Sequence, residues 1–141
     1  MSGLLEVLNP YGSELLLVLR LATGAGLVLH GYPKVKGGRV GAEQWMKSMG
    51  IPPFAADLVT VLEFFGGIAL IVGLFTPLVG LFFVVEFGSV ILMKTSKMHA
   101  KFQSAEQGKT TYEADVLYLL LGLVFLVLGA GAFSLDGLLG L

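Results

Sequence analysis

Three ionisable side chains interrupt stretches that are otherwise almost wholly apolar or glycine: Arg20 in LLLVLRLATGAGLVLHG, Glu63 in VLEFFGGIALIVGLF and Glu86 in LFFVVEFGSVILM. A guanidinium can form a bidentate pair with one carboxylate and give a further hydrogen bond to a second. Arg20 with Glu63 and Glu86 would still leave one negative charge in excess. Unless water or another cation intervenes, one of the two carboxyls should therefore hold a proton. A buried carboxyl that holds and releases a proton is what quinone chemistry or proton movement uses. The same residues also have a purely structural reading, in which a buried Arg–Glu pair only fixes which helices meet and in what register.

These charges need elements to carry them, and the composition says where those elements lie. Of the 141 residues, 55% are hydrophobic and only 13% charged, about half the charged share of a soluble domain. Four segments approach the roughly 20 residues that cross a bilayer core: about Gly12 to Gly31, Phe54 to Phe75, Pro77 to Met93 and Val116 to Phe133. Lipid satisfies no backbone hydrogen bonds, so these segments must be helices. The expected fold is all-α, a single domain built as an integral membrane four-helix bundle. Counted from the outer boundaries, Arg20, Glu63 and Glu86 lie about eight, 12 and nine residues deep, a spread of only about 6 Å. The expectation is thus one charge cluster at one level, facing the bundle interior.

Positive charge orients the bundle. Lys34, Lys36, Arg39 and Lys47 fall between the first two segments, and Lys94, Lys97, Lys101 and Lys109 between the last two. The N-terminus, the Thr76–Pro77 turn and the C-terminus carry no Lys or Arg. Both basic loops should be cytoplasmic and both termini outside. The N-terminus also lacks the basic region of a cleavable signal peptide. Multi-pass insertion in the plasma membrane of a prokaryote is expected.

Within the first basic loop, Ala42 to Met49 can form a short helix lying on the membrane surface, with Trp45, Met46 and Met49 towards lipid. An ordinary loop helix packed on the bundle fits equally well. Lys94, Lys97 and Lys101 stand at helical spacing, so with Trp45 they are candidate interface anchors touching anionic lipid. His30 and Lys34, four residues apart, place two polar groups at the inner mouth of the bundle, where they bind a headgroup or simply snorkel. Gly24 and Gly31, then Gly66 and Gly67, then Gly122 and Gly129 mark faces where helices approach closely.

Several chemistries drop out. A net charge of −1 gives no footprint for nucleic acid, and the absence of cysteine removes disulfide and iron–sulfur readings. No metal-ligand spacing occurs, and no intrinsic cofactor is expected.

The ordered set RLATGAGLVLHGYPKV, then GIP at Gly50 to Pro52, then EFFGGIALIVGLFT, resembles the DoxX family of small four-helix membrane proteins. Its pattern falls here on Arg20, His30, Gly31, Lys34, Glu63, Gly66, Gly67, Gly73, Leu74 and Thr76, then Tyr112, Glu113, Ser134, Leu135 and Asp136. The family often has a basic residue after that Thr, where this chain has Pro77, and its pattern does not support Glu86. The resemblance implies a part in redox complexes. Members are linked to a terminal quinol oxidase, and the related DoxD proteins are subunits of thiosulfate:quinone oxidoreductase. Other relatives look like membrane partners of redox-defence enzymes or assembly factors.

Two functions stand against each other. In the first, the chain is a membrane subunit of a quinone-linked respiratory oxidoreductase, catalytic only with its partners. A bound quinone would exchange protons with Glu63 and Glu86 while Arg20 polarises a carbonyl. In the second, it is a non-catalytic scaffold or assembly factor whose charges lock the bundle. A small proton-coupled carrier is a third reading, weakened because four helices enclose little volume unless the chain self-associates.

Overall fold

The computed structural model describes residues 9–141, and the described chain is helical. One 3₁₀ turn, Asn9–Tyr11, leads into α1 (Gly12–Pro33). A wide turn at Lys34–Gly38, with Gly37 at φ 125°, bends the chain into α2 (Arg39–Ser48). There follow α3 (Pro53–Val72), α4 (Thr76–Met98), α5 (Glu113–Leu128) and the single-turn-scale α6 (Leu135–Leu139). Residues 1–8, on which the expected outward N-terminus and the absence of a signal peptide partly rest, lie outside the described residues.

Local chemistry sets the boundaries. Pro53 and Pro77 occupy first turns, where the missing N–H costs nothing. α3 stops at Gly73, which adopts the left-handed conformation (φ 70°) that closes helix ends. α5 stops at Gly129 (φ 71°), five residues earlier than the span expected to reach Phe133. Among the described residues, three helices are therefore long and apolar enough to cross a membrane. The fourth, α5, has 16 residues, about 24 Å of rise.

The helices pack as two pairs, α1 along α3 and α4 along α5. Each pair crosses at glycine. A Cβ on Gly24 would sit 2.6 Å from the Gly67 carbonyl oxygen, and one on Gly80 would sit 2.7 Å from that of Gly122. No side chain other than hydrogen fits there, so backbone touches backbone. Leu27, Leu70, Phe83, Phe87 and Phe125, one or two from each long helix, join the pairs in a shared core.

The bundle is inverted in polarity relative to a water-soluble one. Arg20, Thr23, Thr60, Glu63, Thr76 and Glu86 are buried, while Leu29, Phe65, Val85 and Val127 stand exposed on the outer faces. Such an outside suits hydrocarbon rather than water. The Ala132 N–H donates to Ser13 Oγ at 3.2 Å, so the start of α1 and the chain beyond α5 lie at one end. The helix expected at Ala42 to Met49 forms as α2 and packs on α3, with Trp45 half-buried.

Candidate functional site

The structure divides the expected single charge cluster into two. Arg20 is fully buried, and it does not meet Glu63. Its Nη1 donates to the Leu70 carbonyl at 3.1 Å and its Nη2 to the Phe133 carbonyl. The long side chain runs to the C-terminus of α3, where the Leu70 carbonyl accepts from the Gly73 N–H with a lone pair to spare and the helix dipole is negative. Opposite it, Asp136 accepts from the Phe75 N–H at 2.7 Å and the Thr76 N–H at 2.9 Å, capping the positive start of α4. Its own N–H donates to the Gly73 carbonyl at 2.9 Å. The turn between α3 and α4 is thus held by a cation at one helix end and an anion at the next. The left-handed backbone of Phe75 (φ 51°), costly for a residue with a Cβ, is secured by the Asp136 bond. A Cβ on Gly73 would overlap the Arg20 guanidinium, so glycine is required there twice over.

Glu63 has a different cation. Lys34 Nζ reaches its Oε2 at 2.8 Å from the bend after α1. The Glu86 carboxyl faces that of Glu63, and Glu86 Oε2 is buried without a hydrogen-bond partner. A second ion pair closes the same end: Lys94 Nζ lies 2.6 Å from Asp115 Oδ2 and 3.1 Å from the Thr111 carbonyl. Lys94, expected among the interface anchors, is turned inward because α5 presents a carboxylate at its level. Lys97 instead donates to the Met49 carbonyl at 2.6 Å, tying α4 to the loop after α2. Lys101 is exposed in the loop beyond α4.

Between these ion pairs lies a chamber of about 200 Å³, lined by His30, Lys34, Glu63, Asp115 and Tyr118 with Leu27, Phe87 and Ala114. The Tyr118 ring stacks on Phe87, centroids 4.9 Å apart and planes 15° from parallel. A second space, of about 380 Å³ and mainly apolar, continues along α1 and α5 past Ala22, Thr23, Leu117 and Leu121. It shares Ala114 and Tyr118 with the chamber. The two adjoin at these residues, one with charged side chains in its lining and the other mainly apolar, on the side of the bundle between α1 and α5.

The structure therefore brings together His30, Lys34, Glu63 and Glu86, and leaves Arg20 outside. Asp115 and Tyr118 join the site without having been candidates. Their signal was weak: Asp115 lies just before the fourth expected span, and Tyr118 is one of two aromatics inside it. Asp136 stood in the Ser-Leu-Asp of the family pattern, but nothing in the sequence paired it with a turn 60 residues earlier. Among the described residues, no group of His, Asp and Glu is arranged to hold a metal ion.

A helical membrane protein with a polar chamber at one end of its bundle is the class that fold and site define. The DoxX family profile matches residues 15–95, more than half of the sequence. The chain belongs to the DoxX family. It is 32% identical over 120 residues to CatD of Bacillus subtilis (strain 168), provisionally named an oxidoreductase, covering 85% of this chain and 83% of that one. It is likewise 32% identical over 124 residues to the inner membrane protein YqjF of Escherichia coli (strain K12), covering 87% of this chain and 90% of that one. No solved structure matches the chain.

Proposed function

We propose that this protein is the membrane subunit of a quinone-linked oxidoreductase complex in a prokaryotic plasma membrane, crossing four times with both termini outside. The observation that carries the reading is that the chamber with charged lining residues adjoins the apolar groove at Tyr118 and Ala114. Adjoining spaces of that polarity suit a ligand with a polar ring and a long apolar tail, and their combined size falls in the range of small-molecule sites. The oxidoreductase name of CatD and the inner-membrane name of YqjF support the class and the location.

The residues fit such a headgroup. Lys34 offers an ammonium to a quinone oxygen, Tyr118 a hydroxyl, and Glu63 a proton acceptor or donor at the chamber wall. Arg20, first expected to polarise the carbonyl, is committed to backbone oxygens at the far end, and Lys34 takes that role. A bound quinone would supply two-electron chemistry, with the electrons coming from a partner protein. The chain itself positions the ring and manages protons.

A scaffold reading draws on other features of the same bundle. Arg20 and Asp136 stabilise a turn, and Lys36 and Lys47 stand exposed on the inner loop, where a cytoplasmic partner could dock. Purification from the native membrane in mild detergent, followed by mass spectrometry of proteins and extracted lipids, separates the two. The quinone reading expects near-stoichiometric quinone with a flavin, haem or copper protein, and loss of the quinone in Thr23→Trp, which fills the groove. A homo-oligomer carrying only phospholipid would reject it.

A further inference from the structure

We propose that Glu63 and Glu86 form a proton-holding dyad in which Glu86 stores the proton and Glu63 presents it to the chamber. Among the described residues, the ionisable groups around Glu86 are Glu63 on α3, Lys34 at the bend after α1, and Asp115 on α5, with Lys94 of its own helix beyond. His30 of α1 lines the chamber from an exposed position. Lys34 is bound to Glu63 and Lys94 to Asp115. Three carboxyls thus share two ammonium groups, and full ionisation would leave one uncompensated negative charge in the bundle interior. One proton removes it.

Hydrogen bonding decides which carboxyl takes that proton. Glu63 and Asp115 each accept from an ammonium, as carboxylates do. Glu86 has no cation of its own and a buried Oε2 that nothing donates to. As a carboxylate it would be an acceptor without a donor. As an acid it gives its O–H to Glu63, and two carboxyls in contact make a hydrogen bond only when one carries a proton. Glu86 is 8% exposed and does not line the chamber. Exchange with the chamber therefore runs through Glu63. Lys34, whose side chain is 35% exposed, connects that pair to the basic side of the protein.

Storage stands on this geometry alone, whereas delivery to a ligand rests on the quinone reading above. In delivery the proton moves from Glu86 to Glu63, and the O–H bond so formed breaks as one forms on the ligand oxygen, which leaves both carboxyls ionised until a proton returns; no electron passes through this chain.

The test is infrared spectroscopy of the full chain in lipid nanodiscs at neutral pH, in light and heavy water, without added quinone. The wild type should show a protonated-carboxyl stretch that shifts on deuteration. Glu86→Gln should abolish it. Lys34→Met leaves three carboxyls facing one ammonium and should raise it about twofold, which keeps the test decisive should the first variant fail to fold. Absence of the band in the wild type, its survival in Glu86→Gln, or an unchanged band in Lys34→Met would each overturn the dyad. The expected bands in a protein that retains no quinone would uphold the dyad and reject the quinone reading. Quinone retained without the band would do the reverse.

Discussion

Arg20→Met and Glu63→Gln, made singly and together, measure whether the two buried clusters are energetically separate. Arg20→Met removes the donors to the Leu70 and Phe133 carbonyls and the cation near Asp136. The Leu70 carbonyl keeps the Gly73 N–H at 3.1 Å, but the Phe133 carbonyl loses this donor and Asp136 its nearby cation, so with packing partly recovered by Met the loss should be about 3–5 kcal/mol. Glu63→Gln keeps an oxygen for Lys34 and should cost about 1–2 kcal/mol. Glu63 and Leu70 are separated by about 10 Å of rise along α3, and sites that far apart without shared partners add to within about 0.5 kcal/mol. The double variant should therefore lose the sum of the single losses. A parallel cycle of Arg20→Met with Asp136→Asn should depart from additivity by about 1–2 kcal/mol, since these residues hold the same turn. Unfolding in mixed micelles, followed by the fluorescence of the single Trp45 and by circular dichroism, supplies both cycles. Coupling above about 1 kcal/mol between Arg20 and Glu63 would refute the division into two clusters.

Two further outcomes follow from the packing and the turn. Gly24→Ala and Gly80→Ala each push a methyl group into a facing carbonyl and should cost about 1–3 kcal/mol, seen as earlier thermal loss of the monodisperse peak in size-exclusion chromatography. Gly12→Ala, whose Cβ meets nothing within 4 Å, should stay within about 0.5 kcal/mol of wild type and serves as the control. Asp136→Asn replaces a charged cap by a neutral one and should cost about 1–2 kcal/mol. Hydrogen exchange should rise first at the Phe75 and Thr76 amides, the two groups that Asp136 accepts from.

Much of the architecture was legible in the sequence because hydrocarbon leaves few choices. Long apolar segments must be helices, charges within them must turn inward, and Gly24, Gly67 and Gly122 do lie where helices touch. Three of the helices are long and apolar enough to cross a membrane, while Gly129, with its positive φ of 71°, ends the fourth early. The partner of Arg20 was not legible, for a physical reason. Counting residues gives the depth of a Cα, but the arginine stem reaches several ångströms further, and free carbonyls at a helix end compete with any carboxylate. Nor could spacing reveal that Lys34, just beyond the expected end of the first segment and still helical in backbone, pairs with Glu63 of α3. Glu86 was readable as buried, but its lack of a cation emerges only when Lys34 and Lys94 are both seen to be occupied.

The bond from Arg20 to the Phe133 carbonyl spans 113 residues, and this bears on how the protein is made. The first helix must enter the membrane long before Phe133 and Asp136 leave the ribosome. Until then its guanidinium has only water, lipid headgroups or the Leu70 carbonyl to satisfy it. The stretch around Phe133 therefore completes a lock on α1, and a nascent chain halted before residue 133 would carry an arginine still seeking its acceptor. That interval is when insertion machinery or a membrane protease can tell an unfinished molecule from a finished one.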